Sequence, residues 1–507
     1  MRLKFPTRVS IPLTVLFAGA VVVVQQFEGT SLPFSLLFFA FTVISVITFN
    51  VAGGMDRPSG AYVMFFSLLT VIVAVVMKAL VGEAADTNLL DPLLTMSVYT
   101  TGSVLLLGAI IATRRLTGQV RGFGNLLGWS QVNLTFSGLG CILVGLFIFF
   151  LDFVPFGLPG SLLSALNQLN VFLPLGLILS TVDAVRRSDG RRSLNAISTV
   201  GFIAAFLIGL GTFSKQGMFT PFFAWGIGAI YGGLKLRPIH VISTVLSAVL
   251  MWSVLAPISQ VGRTLTENAN LVQRLEIAVQ LGTQLQATRE EEEGAYQAGV
   301  ASEGHHGYFN NNLGLGDRLA MFQFDDGLID WTAQNQAVGY APIWFYLENW
   351  IPRVFLPSKG IGEVQYNGNW YAHRMGGFLA SDDFTTGISF GFLGEAYAID
   401  GWQGVLLLAP ALWLLLFVIT DTVAGSLRSG PWALLPVLYF AHLAPESLVG
   451  GLMWYAWYGN ISLCLAIAFC VYVAPLLGSV LGAPLTRGFE SDSQRLVTMQ
   501  TAVQGRA

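Results

Sequence analysis

Pro33-Phe-Ser-Leu-Leu-Phe-Phe-Ala-Phe-Thr-Val-Ile-Ser-Val-Ile-Thr-Phe-Asn50 runs for eighteen residues without a charged side chain. A helix of that length nearly crosses the ~30 Å hydrocarbon core of a bilayer at ~1.5 Å per residue. Apolar runs of the same kind centre on 11–24, 60–81, 92–112, 131–151, 161–182, 194–212, 217–234 and 239–258, and three more follow a long polar region at 402–420, 431–447 and 452–477. The count is twelve, with both termini on one side. Composition agrees: 54% of the 507 residues are hydrophobic and 11% charged, roughly half the charged fraction of a soluble chain. The class is an all-α polytopic membrane protein.

The amino end, Met1 to Arg8, followed by the run 11–24, has the outline of a signal peptide. Gln25-Gln-Phe-Glu-Gly29 offers no small-x-small cleavage site, so the run reads as an uncleaved first span. Charge orients the rest. With the amino end in the cytoplasm, Arg2, Lys4, Arg8, Arg57, Arg114, Arg115, Arg121, Arg186, Arg187, Arg191, Arg192, Lys235, Arg237, Arg428 and the carboxyl-terminal arginines all fall inside, whereas the short outer connections hold only Lys78 and Lys215. This is a strong positive-inside bias. It divides the chain into spans one to nine (1–258), a large outer loop (259–401), spans ten to twelve (402–480) and a cytoplasmic tail (481–507).

Within the outer loop, Leu265, Ala269, Val272, Leu275, Val279 and Leu285 recur every three or four positions and predict an amphipathic helix over Gly262–Arg289, ended by the solvated run Glu290–Glu293. Gly304 to Gly316 reads as an irregular loop, and its glycines follow no strand of a βαβ unit. From Asp317 to Phe355 aromatic groups alternate with acids, as in small helices packed on the outer membrane face. Cys141, Cys464 and Cys470 lie far apart in apolar segments and read as small apolar residues, with no disulfide framework.

Three kinds of chemistry are open to the loop. Metal binding is disfavoured, because the pairs His305-His306, Asp325-Asp326 and Asp382-Asp383 are adjacent residues that point apart, with no His-x-x-x-His or Asp-x-Asp spacing. Nucleophilic catalysis has no Gly-x-Ser-x-Gly elbow and no cysteine outside the spans. Anion recognition fares better. The loop has seventeen acids and seven cations, Arg263, Arg274, Arg289, Arg318, Arg353, Lys359 and Arg374, so holding a diphosphate requires some of those cations in one pocket, where guanidinium forks grip phosphate oxygens. Pro352 and Pro357 stiffen the backbone around Arg353 and Lys359. Lys215, in Thr212-Phe-Ser-Lys-Gln-Gly217, sits at the outer mouth between two spans.

Ile351-Pro-Arg-Val-Phe-Leu-Pro-Ser-Lys359, Thr385-Thr386 and Phe392-Leu-Gly-Glu-Ala-Tyr-Ala-Ile-Asp-Gly-Trp-Gln-Gly404 together resemble the extracytoplasmic region of Wzy-type polysaccharide repeat-unit polymerases, relatives of the O-antigen ligases. That family pattern is similar to Pro-Arg-x-x-x-Pro-x-Lys followed by Gly-Glu-x-Tyr-x-x-Phe-Gly; here Ile399-Asp400-Gly401 and Ser358 depart from it. The resemblance implies a GT-C-like fold of about twelve spans, with one long, partly helical periplasmic loop between the ninth and tenth. It implies a cofactor-free, metal-independent glycosyltransferase of the bacterial inner membrane. The substrate would be undecaprenyl-diphosphate-linked oligosaccharide, with a chain-length regulator and a flippase as partners. Fixed cations, Arg353, Lys359, Arg374, Lys215 and Arg318, would stabilise the leaving diphosphate. A base for the acceptor hydroxyl is sought among His373, Asp382, Asp383 and Glu395. A ligase, a lipid-linked oligosaccharide flippase and a non-enzymatic assembly partner in an envelope complex are the competing readings; against the flippase, the apolar runs hold few charges and the polar mass is one asymmetric loop.

Overall fold

The computed structural model describes residues 2–118, 122–127, 133–153, 160–168, 170–265, 271–290, 307–310, 320–351, 365–375 and 388–474, with a few single positions between and beyond. Among the described residues every named element is a helix, and the one strand-like pairing is an isolated bridge between Arg2 and Lys235. Eight helices among the described residues are long and apolar enough to cross a membrane: Leu32–Ala52, Pro58–Val81, Pro92–Thr117, Leu134–Leu151, Ala165–Arg187, Pro238–Arg263, Phe392–Ala424 and Val449–Val473. The chain is therefore polytopic. The other four expected spans coincide with helices that are shorter or less apolar than a full crossing demands: Ile11–Phe27, Ala196–Gly211, Lys215–Gly232 and Leu434–Glu446.

Local chemistry sets the helix ends. Proline opens Leu32–Ala52, Pro58–Ser67 and Pro92–Thr117, where its missing N–H is not needed. Asp91 caps the last of these by accepting from the Leu94 amide at 3.0 Å. Two apolar cores follow. The larger gathers Phe41, Tyr62, Phe66, Tyr99, Trp413 and Phe440 from spans early and late in the chain, and Trp413 Nε1 donates to the Tyr62 hydroxyl at 3.0 Å. The second surrounds Phe172–Arg187, which is buried almost throughout between Leu173 and Val185.

That second core also brings together two of the three cysteines, which lie far apart in sequence. Cys141 and Cys470 approach with their Sγ atoms 3.3 Å apart, because Leu134–Phe153 and the end of the last span pack together. A pairing across 329 residues leaves no trace in local spacing.

The amphipathic helix expected over Gly262–Arg289 is found in altered form. The helix that enters from the membrane stops at Thr264, and a separate one spans Leu271–Thr283. Its inward face carries Ala278 and Leu281, which pack on Phe213, Ile258 and Val261. Val272 and Val279, expected inside, are 65% and 63% exposed. This helix has apolar residues on two faces, and the neighbouring span selects the face that fits.

The span Phe392–Ala424 is broken near its start. Asp400 (φ −153°, ψ 35°) and Gly401 (φ +55°, ψ −137°) leave helical geometry, and only glycine is at ease at the second of these. The carbonyls of Ala398 and Ile399, freed by the break, accept from the amides of Val338 and Gly339 at 2.8 and 2.9 Å, and Asp400 Oδ2 accepts from the Tyr340 hydroxyl at 2.8 Å. The result is a half-helix, Phe392 to Ile399, standing before the longer part of the span.

Candidate active site

The half-helix organises everything around it. Its first turn reads Phe392-Leu-Gly-Glu395, and its amino end is occupied by a carboxylate from another element. Asp325, on the helix Met321–Gln334, accepts from the amides of Gly391 and Gly394 at 2.6 and 3.1 Å and from the Tyr99 hydroxyl at 2.7 Å. A Cβ at Gly391 or Gly394 would lie 2.5 Å from that carboxyl group, so the close approach requires glycine at both places. This is the physical content of the glycine in Gly394-Glu395. The negative charge also meets the positive end of the helix dipole.

The adjacent Asp326 turns the other way, as neighbouring helix residues must. It accepts from the amides of Leu90 and Asp91 at 2.5 and 3.2 Å and from the Thr95 hydroxyl at 2.7 Å, at the start of Pro92–Thr117. One acidic pair thus fastens one outer helix to two spans. Burial raises both carboxyls to about 6, overcoming the lowering effect of the hydrogen bonds each accepts. No group of acids, histidines and cysteines among the described residues has the makings of a metal site.

Glu395 is wholly buried. Its Oε1 accepts from the hydroxyls of Tyr346 and Tyr371 at 2.8 and 2.7 Å, and its Oε2 from the Val449 amide. Burial, reinforced by the charge of Glu395, holds both phenols protonated, far above their ordinary range. Three segments meet on this one carboxylate: the helix Ala341–Asn349, the helix Gly368–Met375 and the first turn of Val449–Trp454.

His373 and Arg374 stand on Gly368–Met375, two and three residues beyond Tyr371. His373 is half-buried and Arg374 exposed. The guanidinium of Arg374 lies 5.3 Å from the Trp331 ring and 5.2 Å from the Trp370 ring, so two indoles hold it in place with its charge still available. An aromatic chain continues through Trp370 to Tyr366 at 4.8 Å and to Tyr371 at 5.0 Å. A cation framed by flat rings suits a ligand that combines anionic groups with sugar faces.

Lys215 belongs to a different cluster. Its Nζ donates to Gln260 Oε1 at 2.6 Å, while the carbonyl of Phe213, a residue with φ +49°, accepts from Ser259 Oγ at 2.6 Å and Arg263 Nε at 2.9 Å. Two cations, Lys215 and Arg263, are thereby fixed at the mouth between two spans. Arg318, Arg353, Lys359, Asp382 and Asp383 lie outside the described residues. Of the expected site residues, His373, Arg374 and Glu395 are brought together through Gly368–Met375.

The anchoring residues Asp325, Asp326, Tyr346 and Tyr371 were not legible as such in the sequence. A signal existed for the acids: Phe322, Leu328 and Ile329 surround them at helical spacing, which places the pair on a buried face. No family model, curated protein or solved structure matches this chain.

Proposed function

We propose that the protein is a membrane glycosyltransferase that joins undecaprenyl-diphosphate-linked oligosaccharide repeat units into a surface polysaccharide. The reaction takes place at the periplasmic face of a bacterial inner membrane, with both chain termini cytoplasmic. The observation that carries this reading is the helix Gly368–Met375, which presents His373 and Arg374 and is anchored through Tyr371 to the buried Glu395. The motif resemblance over Ile351–Lys359 and Phe392–Gly404 supplies the substrate class.

In this scheme Arg374, with Arg353, Lys359 and Arg318, neutralises the leaving diphosphate without a metal ion, and Lys215 acts from its separate cluster at the mouth between two spans. His373 takes the proton of the acceptor hydroxyl, with Asp383 as the alternative base. Glu395 positions the helix that carries the first two groups. Trp331 and Trp370 fix the guanidinium and offer ring faces to sugar.

Lipid-linked glycans from cells lacking the chain should run as one short band, and restoring it should give a ladder. Arg374→Ala and Arg353→Lys, the second keeping charge but losing the fork, should each shorten the ladder and cut polymer on the order of 10²-fold, with protein in the membrane unchanged. A full ladder from both variants overturns the site. Repeat unit trapped inside the cell in the deletion strain overturns the polymerase in favour of a flippase, and full-length lipid-linked polymer that fails to reach its final acceptor does so in favour of a ligase.

A further inference from the structure

The helix Ala341–Asn349 and the residues just after it present two unlike sides. Tyr346 is buried against the top of Val449–Val473, where a Cβ at Gly450 would lie 2.5 Å from its ring. One turn later, Trp350 stacks on Trp457 with ring centroids 5.6 Å apart, and its carbonyl accepts from the Tyr458 hydroxyl at 3.0 Å. These two contacts fix a direction. While the segment advances from 346 to 350, its partner on the span advances from 450 to 457, so the segment descends along the span rather than resting on its end.

Trp457 lies eight residues into a span of 25, about 12 Å below its start at ~1.5 Å per residue. A span of that length is about 37 Å, some 7 Å more than the ~30 Å hydrocarbon core. With the excess shared between both ends, Trp457 and the stacked Trp350 fall about 8 Å inside the hydrocarbon edge. Trp457 also heads the span's exposed apolar strip, which continues through Ile461 and Leu465. Next to that strip, the side of the segment turned away from the protein carries Trp344, 67% exposed, and Ile351, 44% exposed. Glu348, also exposed, shares this side. A carboxylate is costly in hydrocarbon, so the element lies at the boundary, with rings in the acyl region and the acid among headgroups.

We propose that Ala341–Asn349 with Trp350 and Ile351 is a membrane-surface element whose Trp344 and Ile351 side chains insert among the lipid acyl chains of the leaflet at the Val449 end of the span. The protein therefore meets that leaflet with a polar-loop element as well as with its spans. The test places benzoylphenylalanine, singly, at 344, 351, 333 or 465 in the otherwise native full-length chain. The chain is reconstituted in vesicles of phosphatidylethanolamine and phosphatidylglycerol carrying a radiolabelled phospholipid, and then irradiated. Lipid adducts at 344 and 351 of at least half the yield at 465, with less than a tenth of that yield at the aqueous position 333, are the expected result. Adducts at 465 with none at 344 and 351 overturn the proposal. A cross-linked pair of chains through 344 or 351 also overturns it, by showing that a second copy covers this face.

Discussion

Glu395 is fully buried and accepts from three donors, so any change to it is felt by all three segments it joins. Glu395→Gln keeps one carbonyl oxygen for the tyrosines but turns an amide N–H₂ toward the Val449 N–H. A donor facing a donor in a buried site costs about 1–3 kcal/mol. The purified variant should melt several degrees lower in detergent, and its polymer ladder should shorten even where protein level is held equal. An unchanged melting temperature would show that Glu395 is not the anchor described. Asp325 and Asp326 make a second residue-level prediction, through pH. Their folded-state carboxyls lie at about 6, above the ordinary 3.8, so the folded chain binds more protons than the unfolded one between those values. Their contribution to stability is complete below about 3.8 and is lost as pH rises through about 6. Thermal unfolding followed from pH 4 to pH 7 should show that loss, and Asp325→Asn should remove part of the slope.

Among the elements, the pairing of the fifth expected span with the last is the most exposed to a direct check. Cys141 Sγ and Cys470 Sγ are 3.3 Å apart, whereas Cys464 stands elsewhere on the final helix. That gap closes to a ~2.05 Å bond with little movement when the Cβ vectors permit. A membrane-permeant oxidant should consume two of the three thiols and leave one titratable, identified by mass spectrometry as Cys464. Three surviving thiols would argue against the packing. The elements also show why sequence reading reached as far as it did. Among the described residues, eight of the twelve expected spans have a helix long and apolar enough to cross a membrane, because an apolar run of ~20 residues has few other solutions in lipid. The break at Asp400–Gly401 was foreshadowed by the expectation that the span begins at 402, but the half-helix before it was not visible. Its stability comes from Val338, Gly339 and Asp325, all distant in sequence. Helix Leu271–Thr283 was legible as a helix and misread in its buried face, since two apolar faces were on offer and a neighbour decided between them.

At the scale of the molecule, class and outline come from composition, and the site comes from long-range pairings. His373, Arg374 and Glu395 stood out as polar residues in an apolar chain. That Tyr371 would bind Glu395 and carry the other two with it could not be read from spacing, nor could the framing of Arg374 by Trp331. The staple formed by Asp325 and Asp326 has one more consequence, for the time at which the outer region takes shape. Asp326 finds its partners in a part of the chain made long before it, around Leu90 to Thr95, and Asp325 bonds to Tyr99 from that same stretch. The other partners of Asp325, the amides of Gly391 and Gly394, are synthesised 66 and 69 residues later. During translation the outer helix can therefore moor to the early spans at once, and it is locked only when the late half-helix emerges. A nascent chain halted before Gly391 would hold that helix to the early spans alone, leaving its second mooring, and the completion of the Glu395 junction, to about the last quarter of synthesis.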